Sequence, residues 1–195
     1  MKIIIMSDSH LKNETVMAII AHYPDADCYI HCGDVGKPID QAGIPNFYIV
    51  KGNNDYSDFP KELLLTIDHK QFFITHGDAY HVDLGLDELY HTAQQKQADY
   101  VLYGHTHHPN QQVINSITFI NPGSVAFPRG GQIFVPCYCV LEDDTCHFFH
   151  AKTFENIDHL FEPKKRVSFF QYFKKCGIYQ LFLVYWTKIG RKTSK

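Results

Sequence analysis

Five times along this chain a short apolar run stops at once in a cluster of Asp, Asn, His and Gly. The clusters are Asp8-Ser9-His10, Gly33-Asp34, Gly52-Asn53-Asn54-Asp55, His76-Gly77-Asp78 and Gly104-His105-Thr106-His107. The runs that precede them, at 2–6, 27–32, 47–50, 71–75 and 100–103, read as strands, and the continuous apolar run 2–6 is what a strand buried on both faces requires. A helix starting at Asn13 as its cap and running to about His22 separates the first two. Strand, helix, strand, loop, strand in that order argues for a parallel α/β core. Open α/β sheets bind ligands just outside the carboxyl ends of their strands. Clusters far apart in sequence are therefore expected to meet in one cleft.

The rest of the chain fills in around this frame. Segments 63–67 and 71–75 flank Asp68-His69-Lys70 and read as a hairpin. A helix is expected from about Leu84 to Gln97, with Leu84, Leu86, Leu89, Tyr90 and Ala93 inward. Further strands are expected at 112–120, 132–141 and 146–151, with Asn121-Pro122-Gly123 as a turn between the first two. A two-layered β sandwich covered by helices accommodates this pattern, and 195 residues suffice for one such domain. Six cysteines without a CxxC pair, in a chain lacking a signal-peptide pattern, argue against a disulfide framework. Cys28 and Cys32 read as small core hydrophobes. The apolar start is soon ended by Asp8 and no stretch is long enough to span a bilayer, so a cytoplasmic location is expected.

Charge separates the chain into two parts. Residues 1–150 carry a net −10 and residues 151–195 a net +7. An acidic body does not suit broad nucleic-acid binding, but it does concentrate divalent cations. Thirteen histidines are the compositional outlier, and several of them fall in the five clusters. Asp, His and Asn donors suit borderline divalent ions such as Mn²⁺, Fe²⁺ or Zn²⁺. In extended backbone, residues i and i+2 face the same side, so Asp8 and His10 can serve one ion, and His105 and His107 can each reach a neighbouring one. Taken singly, each residue has an ordinary explanation as a cap, a turn former or a hydrogen-bonded histidine. The ordered set does not.

The series Asp-x-His, Gly-Asp, Gly-Asn-x-Asp, His-Gly and Gly-His-x-His resembles the calcineurin-like metallophosphoesterase superfamily, in particular its small single-domain bacterial and archaeal phosphodiesterases. Asn121-Pro122-Gly123-Ser124 and Pro128-Arg129 extend the resemblance, which covers roughly residues 1–155. It implies a four-layer α-β-β-α sandwich with the active site at the strand carboxyl ends. It also implies that Asp8, His10, Asp34 and His107 hold one divalent ion, and that Asn53, His76 and His105 hold a second, with Asp34 bridging. Mn²⁺ is the expected metal, with Fe, Ni and Zn as alternatives. Two ions about 3.5–4 Å apart can clamp an in-line displacement at phosphorus and activate a bridging water as nucleophile. A small phosphate ester, most readily a diester, is the implied substrate.

Where many relatives carry Gly-Asn-His, this chain has Asn54, placed here on the substrate side of the site. Asn54 cannot protonate a leaving group, a loss worth about 10²–10⁴-fold, and neither His81 nor His108 is assigned that role. A second reading follows: a catalytically weak scaffold, like a eukaryotic retromer subunit that shares the fold and much of the ligand set. A third, a phosphomonoesterase or nucleotide pyrophosphatase, differs only in its pocket. The domain is expected to span 1–160. Residues 161–195, basic and aromatic, form an extension that could pack, rest on an anionic membrane or remain poorly ordered. Oligomeric state is left open, a homodimer included.

Overall fold

The computed structural model describes residues 1–130 and 133–161. In chain order the strands are β1 (Lys2–Met6), β2 (Cys28–His31), β3 (Phe47–Ile49), β4 (Glu62–Ile67), β5 (Lys70–Thr75), β6 (Tyr100–Leu102), β7 (Asn110–Ile114), β8 (Ile117–Asn121), β9 (Cys137–Glu142) and β10 (Thr145–His150). Helix α1 (Asn13–His22) follows β1, and α2 (Asp87–Gln95) precedes β6.

Alternation along β1 sets the layers. Ile3 and Ile5 face one core, Ile4 and Met6 another, and all four are fully buried. The first face meets Phe72, Ile74, Leu102 and Ile120 of the other sheet. The second is covered by Val16, Ile19 and Ile20, the apolar stripe of α1. On the far side, Phe73, Val101 and Phe119 pack with Leu89 and Ala93 of α2. Helix, sheet, sheet and helix are thus stacked in the α-β-β-α order the sequence led us to expect. Each fully buried aliphatic or Phe side chain contributes about 1.5–3 kcal/mol, and such side chains form most of the central layer, with cysteines and Tyr100 among them.

The two five-stranded sheets run β10-β9-β1-β2-β3 and β4-β5-β6-β8-β7. β1, β2 and β3 are mutually parallel, as are β5, β6 and β8, while β9, β10, β4 and β7 are antiparallel to their neighbours. Of these parallel strands, β1, β2, β3, β5 and β6 carry the polar clusters at their ends.

Several local expectations are corrected. Asn13 does not cap α1; its amide donates to Lys37 O and Pro38 O instead, and the cap position is Lys12. The helix expected from Leu84 begins at Asp87, and Leu84 stands 85% exposed. The stretch 112–120 is two strands, not one. Asn115 and Ser116 both adopt positive φ and turn the chain into the β7–β8 hairpin, so Asn121-Pro122-Gly123 lies beyond it. Of the strand expected at 132–141, Cys137–Glu142 is extended. Cys139 and Cys146 lie diagonally across β9 and β10 with Cα atoms 6.5 Å apart and their sulfurs paired, where no cysteine pairing was expected. Cys28, Cys32 and Cys137 are buried free thiols. Burial pushes the Cys28 and Cys137 thiols up to about 12. The basic extension lies, from residue 162 on, outside the described residues. No helix among those described is long and apolar enough to cross a membrane.

Candidate metal centre

Parallel strands end at one edge, and the polar clusters leave from that edge in both sheets. Asp8 lies two residues past β1, Asp34 three past β2, Asn53 four past β3, His76 one past β5 and His105 three past β6. The loops are pinned to one another by backbone bonds: Asp8 N donates to Gly33 O, His10 N to Asp34 O and Gly104 N to His76 O.

The backbone here is not extended, which corrects the i, i+2 argument for how the paired residues are presented. Asp8, His10, Asp34, His105 and His107 all have φ between 42° and 67°. For residues with a Cβ this left-handed region costs about 1–3 kcal/mol each and persists only where the surroundings over-determine it. Turned this way, the two histidines of the last loop diverge. His107 reaches the β1 loop, and His105 reaches the β3 loop.

Two groups of donors result. In the first, one ligand atom from each of Asp8, His10, Asp34 and His107 lies within 4.8 Å of every other. His107 Nε2 is 3.1 Å from Asp8 Oδ1 and 3.1 Å from His10 Nε2. In the second, Asn53 Oδ1 lies 3.1 Å from both His76 Nε2 and His105 Nδ1. Asp34 stands between them, its Oδ2 3.8 Å from His10 Nε2 and 3.5 Å from His76 Nε2. The seven side chains named from the sequence therefore converge. All of the first group are buried except His10, which is half-buried.

These atoms suit divalent cations. His107 Nδ1–H donates to Phe127 O at 2.6 Å and His76 Nδ1–H to Cys32 O at 2.8 Å. With that nitrogen committed, Nε2 of each ring is the one left to offer a lone pair to the cleft, as ligating histidines do. Asp8 Oδ1 is buried without a hydrogen-bond partner, an arrangement that is costly unless a cation compensates it. Carboxylate, imidazole and amide oxygen are donors for borderline first-row ions, and no thiolate is among them.

The titration behaviour follows from the same crowding. Burial alone would lower the His76 pKa, but the Asp34 carboxylate and the charge of Asp8 raise it to about 9. Burial opposes ionisation of Asp34, yet hydrogen bonds from His76 and Asn54 hold its carboxyl well below the usual carboxylate range. Burial lowers His10, and it takes fully buried His31 down to about 4. A cation entering beside His76 therefore competes with a firmly held proton.

Several residues that the motifs include, but to which the sequence assigned no role, support the ligand loops. Asp55 accepts from Asp34 N (2.9 Å), Gly36 N (2.6 Å) and Gly52 N (2.9 Å), tying the β2 loop to the β3 loop. Its place in Gly-Asn-x-Asp was the available signal. Ser124 Oγ donates to Asp8 O at 2.8 Å and accepts from Phe127 N at 2.7 Å. Asn121 Nδ2 donates to Gly104 O at 2.8 Å. The Asn-Pro-Gly-Ser segment thus braces the ligand loops. Gly52 is required by space: a Cβ there would overlap Asp34 Oδ1. The Asn54 amide is bonded to Asp34.

The chain is similar to known phosphoesterases. Residues 1–145 match the model of the calcineurin-like phosphoesterase superfamily domain. A probable metallophosphoesterase of Bacillus subtilis is 34% identical over 146 residues, 74% of this chain and 86% of that one. A phosphodiesterase of Methanocaldococcus jannaschii is 31% identical over 145 residues, 63% of this chain and 83% of that one. The crystal structure of a predicted phosphoesterase from Streptococcus pneumoniae superposes with a TM-score of 0.71 at 31% identity, covering 77% of this chain and 89% of that one.

Proposed function

The chain belongs to the calcineurin-like phosphoesterase superfamily, and from that premise we propose that it is a two-metal phosphodiesterase hydrolysing a small phosphate ester. One observation carries the two-metal reading: Asp34 Oδ2 faces a histidine of each donor group, His10 on one side and His76 on the other. A single carboxylate so placed can bridge two like charges that would otherwise repel. Asp8, His10, Asp34 and His107 would hold the first ion and Asn53, His76, His105 and Asp34 the second, with Mn²⁺ the preferred metal. Such ions, when bound, supply the charge that stabilises an in-line displacement at phosphorus and lower the pKa of a water to near neutrality.

The chain's own residues supply position and electrostatics. Hydrogen bonds from His76 and Asn54 hold the Asp34 carboxyl in its ionised form before any ligand arrives, and Asp55 accepts from the Asp34 backbone N–H and so fixes its loop. Phe127 O and Cys32 O orient His107 and His76. Asn54 offers no proton to a departing alkoxide, and its amide group is already engaged, so esters with good leaving groups are favoured. A cytoplasmic location belongs to the same reading, as does a small-molecule rather than a nucleic-acid substrate.

Calorimetric titration of chelator-treated protein with Mn²⁺ is expected to show two sites, one lost in His105→Ala and both weakened in Asp34→Asn. Hydrolysis of bis(p-nitrophenyl) phosphate should require the metal and fall in Asp34→Asn by more than the ~10–100-fold that even an outer-shell partner costs. Absence of turnover across Mn²⁺, Fe²⁺, Ni²⁺ and Zn²⁺ would sink the enzyme reading. A stable protein partner retained by Asp34→Asn would then favour a scaffold.

A further inference from the structure

A groove of about 750 Å³ opens directly from the candidate metal centre. Its near end is lined by His105 and Arg129. Its far end runs between the 82–87 loop and strand β7, the outermost strand of its sheet. Three alternate residues of β7, Asn110, Gln112 and Ile114, line the groove, as expected of positions i, i+2 and i+4 on one face of a strand. Leu84 and Leu86 form the opposing apolar wall, with Asp83 and Asp87 beside them. The loop owes this position to the late start of α2, which leaves Leu84 outside the helix and 85% exposed.

Each part of this lining restricts what can occupy it. A volume of this size is that of a cavity for a drug- or cofactor-sized molecule, far more than a phosphate group needs. Aliphatic walls suit a flat or apolar body. The amide of Gln112 and the two carboxylates accept hydrogen bonds, so they favour an occupant bearing hydroxyl or N–H donors. The same carboxylates repel a second anion. Among the described residues, the one Lys or Arg lining the groove, Arg129, stands at the metal end, where the phosphate would lie.

We propose that this groove seats the second ester arm of the substrate, which is accordingly a phosphodiester carrying an uncharged, hydroxyl- or imide-bearing arm of nucleoside size. An ester whose arm bears a further phosphate fits this lining less well, because Asp83 and Asp87 would face it. The inference rests on the phosphodiesterase reading above and gives that site its substrate class. Leu84 and Gln112 are specificity-determining residues that contact the arm and not the reacting atoms.

Two substrates with the same leaving group separate binding of the arm from chemistry. Thymidine 5′-(p-nitrophenyl phosphate) carries such an arm; methyl p-nitrophenyl phosphate does not. With Mn²⁺ present, kcat/KM for the thymidine ester should exceed that for the methyl ester by about 10-fold or more. Gln112→Trp, which fills the groove from an exposed edge-strand position, and Leu84→Ser, which removes an apolar wall, should each erase that preference through KM. Turnover of the methyl ester should stay within about 2-fold of wild type. In the chelator-treated protein, where nothing turns over, saturation-transfer NMR should show contact with the thymine protons, lost in Gln112→Trp. Equal kcat/KM for the two esters, or a preference that survives both variants, overturns the groove assignment while leaving the phosphodiesterase reading intact. Failure to hydrolyse even the methyl ester, with thymine contact still seen and still lost in Gln112→Trp, overturns the phosphodiesterase reading and upholds the groove.

Discussion

Asn54 grips both oxygens of Asp34: its backbone N–H donates to Oδ1 at 2.7 Å and its side-chain amide to Oδ2 at 2.6 Å. Asn54 is thus a clamp on the carboxylate between the two donor groups. The clamp keeps Asp34 ionised and fixes which way each oxygen faces.

Asn54→Ala should therefore weaken Mn²⁺ binding about 10–100-fold, the usual cost of losing an outer-shell partner. Calorimetry measures this directly. If metal affinity is unchanged and only KM rises, Asn54 acts on substrate and not on Asp34.

Gly52→Ala tests how tightly the β3 loop is packed on that same carboxylate. The added methyl overlaps Asp34 Oδ1, and overpacking of this kind costs about 1–3 kcal/mol. We expect a lower urea midpoint together with loss of metal affinity. An unchanged Mn²⁺ isotherm would show that the loop shifts at no cost.

Ser124→Ala removes the hydroxyl that joins Asp8 O to Ala126 N and Phe127 N. Stranding these buried groups should cost about 1–3 kcal/mol in chemical denaturation. Because Phe127 O orients His107, metal binding should weaken too. Ser124→Cys, which keeps a weak donor, should recover part of both losses.

His31 gives the metal-free protein an acid sensitivity. It is wholly buried and donates from Nε2 to Ser9 Oγ (3.1 Å), while Nδ1 accepts from Gly33 N (3.3 Å). Its folded pKa, lowered by burial to about 4, lies below the ordinary value of about 6.5. Between those values the unfolded chain binds the proton and the folded chain does not. Stability from this group is therefore full above about pH 6.5 and lost as pH falls toward 4, at up to about 1.4 kcal/mol per pH unit. Chelator-treated His31→Gln should show a flatter fall in urea-derived stability over that interval than wild type. Parallel curves would mean that His31 does not carry the effect.

Much of the fold could be read along the chain because burial on both faces leaves an unmistakable pattern. The runs 2–6, 71–75 and 100–103 contain β1, β5 and β6 nearly to the residue. Legibility failed where local and tertiary signals conflict. Leu84 fits a helical stripe but sits outside α2. Asn115-Ser116 makes the β7–β8 turn with positive φ at both residues; Asn suits that conformation, but Ser116 stands where a glycine would have marked the turn.

The sequence by itself determined the donor inventory and its place at the strand ends: two Asp, four His and one Asn, each just past a buried run. Those are properties of residue type and order, which linear pattern reveals. Tertiary structure alone decided the pairings. His107 lies against Asp8 and His105 against Asn53, Asn54 turns back onto Asp34, and Asp55 laces two loops. It also decided that β7 and the 82–87 loop face each other across a groove. Each of these depends on left-handed turns and on contacts between segments 20 to 100 residues apart. Such contacts are set by how two sheets pack, a balance of burial and hydrogen bonding that no single segment carries.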